Sequence, residues 1–170
     1  VITSGAYNTM VGKGSLSSNQ TGSNNTAIGE SALNANTTNN NTAVGYRASA
    51  ANTSGNDNVA VGIQSLSTNQ TGVANTAVGG FALRYNTGSS NSAVGHAALQ
   101  ANTTGIENVA MGRGALTSNT TGTQNTGLGY GALSNITVGV GSTAVGRNAL
   151  NQNTASGNTA IGNRALESNT

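Results

Sequence analysis

Residues 58–74 read NVAVGIQSLSTNQTGVA, and residues 75–79 begin the same phrase again as NTAVG. With the opening Asn as position 0, the phrase recurs at Asn8, Asn25, Asn41, Asn58, Asn75, Asn91, Asn108, Asn125 and Asn158, with Ser142 in the remaining slot. The spacing is always 16 or 17 residues, which makes ten copies across the chain. Position 4 is Gly in all ten copies, and position 3 is always aliphatic or Met. Position 8 is Leu except at Ser49, and position 11 is Asn except at Ile136. Such self-similarity marks a repeat architecture, in which each unit buries its apolar face against its neighbours.

The N-T-A-V-G portion alternates in the manner of a strand, with positions 1 and 3 on one side and position 2 on the other. A second short extended run is expected around A-L, as at Ala98-Leu99. Gly and Asn between the two runs supply corners, because both accept left-handed backbone. Ten interior glycines, each costing about 1 kcal/mol in a helix, exclude a helical reading. The fold class expected is all-β: a parallel β-solenoid (β-roll) with one coil per repeat of 16 or 17 residues. Ten coils at about 4.8 Å each would form a rod roughly 48 Å long. Leu would stack into one ladder and the position-3 aliphatics into another. Asn at positions 0 and 11 would form amide ladders.

Composition agrees with a thin rod rather than a thick core. Charged residues are 6% and aromatics 3% of the chain, with no Pro, Cys or Trp. Without Cys there is no disulfide framework or thiolate metal site. No apolar run is long enough for a membrane-spanning helix. The net charge of +2 rests on few groups and does not point to nucleic acid. Residues 1–170 read as a single tandem-repeat segment, expected to belong to a longer fibre protein.

One Leu and one other aliphatic per coil bury little area against the entropy of ordering a whole coil. Self-association is therefore expected. The small side chains at position 2 are the candidate subunit interface: Ala27, Ala43, Ala60, Ala77, Ala93, Ala110, Ala144 and Ala160.

Chemistry is sparse. The acids are Glu30, Asp57, Glu107 and Glu167, and His96 is the sole histidine. Asp57 and Glu107 share a register but stand three coils apart, about 14 Å, too far to act as a pair. No catalytic constellation, metal site or cofactor site is expected, and the chain is read as a non-enzyme. Gly127-Leu128-Gly129-Tyr130-Gly131 imitates a nucleotide-binding loop but lacks the following helix. Sequons such as those at Asn36, Asn102 and Asn119 follow from the Asn/Thr repeat itself. The variable positions 5, 6, 9 and 10 carry the candidate surface contacts: Tyr46, Arg47, Phe81, Arg84, Tyr85, His96, Arg113, Tyr130 and Arg147. Aromatic faces and Arg donors suit glycan or receptor contact.

Val59-Ala60-Val61-Gly62 and Thr26-Ala27-Ile28-Gly29 resemble the head repeats of trimeric autotransporter adhesins of the YadA-like kind. Similar N-T-A-V-G-x-x-A-L repeats occur in phage tail fibres. The resemblance covers all ten copies, although the adhesin heads use a shorter repeat. It implies a left-handed β-roll, three chains side by side, an extracellular, cell-surface or virion location, and a structural and attachment role. The alternatives are an ice-binding solenoid and a carbohydrate-binding module. Position-1 Thr motivates the ice-binding reading, although that position turns to Val at Val59 and Val109 and shares its face with the aliphatics.

Overall fold

The structure is a computed structural model in which residues 4–168 are described. It contains ten strands of three residues: β1 (Thr9–Val11), β2 (Thr26–Ile28), β3 (Thr42–Val44), β4 (Val59–Val61), β5 (Thr76–Val78), β6 (Ser92–Val94), β7 (Val109–Met111), β8 (Thr126–Leu128), β9 (Thr143–Val145) and β10 (Thr159–Ile161). They form one parallel sheet in sequence order, with like positions in register. Thus Ala60 pairs with Ala77, and Ala77 with Ala93. Each repeat is one coil of a β-solenoid, and among the described residues there is no helix.

The expected second strand is absent, and a turn takes its place. Leu at position 8 has φ between 46° and 52° in every described copy. Position 6 is left-handed too, from Ser31 at 58° to Arg164 at 59°. These residues alternate with ordinary ones, so the chain bends sharply while its peptides still reach the adjacent coils. The Ala97 N–H bonds the Gly80 carbonyl at 2.9 Å, and the Leu99 N–H bonds the Ala115 carbonyl at 3.0 Å. Within the turn, the Ala98 N–H closes on Gly95 and the Asn102 N–H on Leu99. Left-handed backbone costs roughly 1–2 kcal/mol per residue, and the satisfied peptide groups and buried Leu offset it.

The sheet faces are the reverse of the expectation. Ala27, Ala43, Ala60, Ala77, Ala93, Ala110 and Ala144 are fully buried within their own chain, and Ala160 is 5% exposed. They cannot form a subunit interface. The position-3 side chains instead point outward, from Val11 and Ile28 to Met111 and Ile161. The reason is the thinness of the coil. A Cβ built on Gly127 at position 2 lies 3.3 Å from Leu116 Cγ, so Ala and Leu together fill the space across the coil. A branched side chain at position 2 would collide with the Leu ladder.

Asn completes the interior. At position 0, Oδ1 accepts from the backbone N–H of the next coil's position 0, as Asn91 does from Asn108 at 3.0 Å. Its Nδ2 donates to a carbonyl fourteen residues on, Gly105 at 2.8 Å. Amide-to-amide bonds are the minority here, whereas position 11 has a clearer ladder: Asn102 donates to Asn86, and Asn119 to Asn102. Ile136 ends that ladder. With no amide above it, the buried Oδ1 of Asn119 lacks a partner. The 16-residue coils lose their residue at this corner: Asn36 and Asn86 cap a carbonyl two residues on, where Asn102 caps one three residues on. Asn169, the last Asn of the position-11 column, lies outside the described residues.

Ser49 breaks the Leu ladder between Leu33 and Leu66, and its buried hydroxyl has no hydrogen-bond partner. Ser49→Leu is expected to raise stability by about 1–3 kcal/mol, by filling the layer and removing the unsatisfied group. Urea unfolding of the variant checks this, and a loss of stability would show that the layer has no room.

Candidate functional site

Two long surfaces carry what chemistry the rod has. The first is the outward sheet face. Its two columns are position 1, mostly Thr with Val59, Ser92 and Val109, and position 3, which is Val, Ile, Met or Leu. Outward position-3 side chains include Val94 at 36% and Met111 at 50% exposure, with Val44, Val61, Val78 and Val145 half-buried in the same column. The strands pair in register, so like positions stack into a continuous aliphatic stripe beside a hydroxyl stripe. No membrane-crossing helix is present among the described residues.

The second surface lies between a wall of positions 5 and 6 and a wall of positions 9 and 10, and is grooved in two stretches. The glycine turn places it: Gly at position 4, with φ from 122° to 133°, swings the chain off the sheet, and the left-handed residue at position 6 turns it back. In coils 2–5 the groove widens into a depression of about 570 Å³, with Tyr46 and Arg47 on one wall and Arg84 and Tyr85 on the other. Glu30 and Gln64 line it as well. A smaller depression of about 240 Å³ in coils 7–9 is lined by Arg113, Tyr130, Ser134 and Asn148.

Arg and ring stack on each other in both places. The Arg84 guanidinium carbon lies 5.3 Å from the Phe81 ring centre and 5.1 Å from that of Tyr85. Phe81 meets His96 edge to face, with ring centres 5.6 Å apart. Arg113 and Arg147 approach Tyr130 at 6.0 and 5.8 Å. These contacts direct each guanidinium and reduce the entropy lost when it binds a partner.

The nine candidate contacts therefore fall into two clusters, one at each depression, with Phe81, His96 and Arg147 joined to the lining residues through ring contacts. Tyr46, Arg47, Phe81, Arg84, Tyr85 and His96 make the first, and Arg113, Tyr130 and Arg147 the second. Sequence reading separates Arg84 and Tyr85 from positions 5 and 6, and the turn brings them opposite. It misses Glu30 and Gln64, although their register with Tyr46 and Arg47 is the available signal. Asp57 and Glu107 stand on another corner, where Asn40 and Asn56 amides bond Asp57 and the Gln124 amide bonds Glu107. No three His, Asp or Glu side chains among the described residues gather as a metal site would require.

No family model, curated protein or solved structure matches this chain.

Proposed function

We propose that this chain is a structural and attachment segment of an extracellular fibre, on a cell surface or virion, whose copies stand side by side as a trimer through the outward sheet face. The observation that carries the reading is the aliphatic stripe from Val11 to Ile161, which none of the described residues covers. An apolar strip running the length of a rod is costly to leave in water and indicates a contact surface. Association would also supply the burial that a thin coil lacks. The regular coils provide length and stiffness from a repeated sequence.

The test is mass in solution by light scattering, on the wild type and a Val78→Glu/Val94→Glu variant. The wild type is expected at the mass of three chains and the variant at that of one, with unchanged circular dichroism. A wild-type monomer, or a variant that still associates, overturns the assembly.

A second reading, ice binding, is favoured by the outward position of Thr26, Thr42, Thr76, Thr126 and Thr143 beside the aliphatic stripe. Flat, evenly spaced hydroxyl and methyl groups can order water. Val59, Ser92 and Val109 interrupt the Thr column, and the trimer reading therefore stands first. Thermal hysteresis from a monomeric rod would reverse that order.

A further inference from the structure

We propose that the groove binds a linear acidic polysaccharide carrying one carboxylate on every second sugar. This deepens the attachment part of the reading above and rests on it.

The charges are confined to one part of the rod. All six Lys and Arg residues of the protein occupy positions 5, 6 or 9; Arg47 and Arg84 line the first depression and Arg113 the second. Lys13, Arg47, Arg84, Arg113 and Arg147 belong to coils 1, 3, 5, 7 and 9. The sixth, Arg164 in coil 10, is paired with Glu167, whereas the other five carry no ion pair among the described residues. Two of the four acids, Asp57 and Glu107, lie on another corner. In a chain with 6% charged residues, the cations thus share one side of the rod, with Arg84 on the wall opposite Arg47.

Their period selects the ligand. Cations on alternate coils recur about every 9.6 Å at about 4.8 Å per coil. A β-linked sugar in an extended chain advances by nearly one coil, so a charge on alternate sugars meets a cation on alternate coils. The even coils offer neutral or accepting groups for the uncharged sugars: Glu30 in coil 2 and Gln64 in coil 4. Tyr46 provides a flat face for a sugar ring, whereas the rings of Tyr85 and Tyr130 hold Arg84, Arg113 and Arg147 in place. Each strand of a nucleic-acid duplex carries a phosphate about every 3.4 Å of axis, and even an extended single strand has one on every nucleotide, denser than these cations. Its charge would go mostly unmatched.

Isothermal titration calorimetry on the full chain tests this, with a hyaluronan oligosaccharide spanning coils 1 to 9, its carboxyl-reduced form, and an oligothymidylate of equal length. Hyaluronan is expected to bind, and more weakly as salt is raised. The carboxyl-reduced form should bind at least about tenfold more weakly, and Arg47→Gln/Arg84→Gln should lose about 100-fold for hyaluronan, roughly tenfold per charge-assisted contact. The variant should keep the wild-type circular dichroism, with a slightly lower melting temperature from the lost Arg84 ring contacts. Absence of hyaluronan binding, equal binding of the reduced polymer, an unaffected variant, or oligothymidylate binding as tightly each overturns the proposal. Mass is read on the same samples. A trimer that ignores hyaluronan removes this inference alone, and a monomer that binds it removes the assembly alone.

Discussion

Gly112→Ala is expected to destabilise the rod by about 2–6 kcal/mol, combining a backbone region open essentially to Gly alone with overpacking. Gly112 has φ +129°, and an added Cβ would sit 2.5 Å from the Gly129 carbonyl oxygen of the next coil. Nothing there can yield, because the obstacle is backbone, and the same contact repeats up the column: Gly95 faces Gly112, and Gly129 faces Gly146. The control lies two residues away. Gly114 has φ +68°, and a methyl group added to it would have nothing within 4 Å, so Gly114→Ala should cost only about 1–2 kcal/mol. Urea unfolding followed by circular dichroism compares the two variants. Equal losses would mean that the close approach of the glycine backbones contributes nothing. Because each coil touches only its neighbours, the Gly112 variant should separate the rod into two independently melting halves.

Asn91→Ala is the second large effect, with an expected loss of about 2–4 kcal/mol: about 1–3 for the stranded buried Asn108 N–H and about 1 for the lost bond to Gly105. Asn91 Oδ1 accepts from the Asn108 N–H at 3.0 Å, and its Nδ2 donates to Gly105 O at 2.8 Å. Truncation leaves the Asn108 N–H without its acceptor, whereas the Gly105 carbonyl keeps its bond from Asn102 Nδ2 at 2.9 Å. Hydrogen exchange at the Asn108 amide reads the damage directly. Wild-type protection should fall in the variant, and unaltered protection would show that the amide is dispensable. Ser142 is the natural comparison: it still accepts from the Asn158 N–H, but at 3.3 Å.

Much of the rod is legible in the sequence because a repeat states its constraints many times over. Gly at position 4 recurs in every copy since each stands against the glycine backbone of the next. Leu99 and its counterparts recur because they form the column of large buried side chains. Asn recurs because its side chain takes the place of missing backbone partners. The facing of the strands is harder to read. Three residues such as Val59-Ala60-Val61 alternate equally well in either phase, and hydrophobicity argues for burying the two valines. The contrary signal is size: position 2 stays small in nearly every copy, whereas position 3 ranges over Val, Ile, Met and Leu. A close-packed interior tolerates no such change in volume, and an exposed face does.

The groove follows the same pattern. Its residues are visible as the variable ones, but Arg84 joins Tyr46 and Arg47 only through a left-handed turn that Leu would not suggest. The sequence by itself determined the period, the stacking register and the Gly, Leu and Asn columns, since identical positions must meet when identical units stack. The tertiary structure alone decided which strand face is interior and which side chains share the groove. Both depend on the width of the coil, and that width is set where the Leu ladder meets the opposite strand, a contact between residues far apart within each repeat.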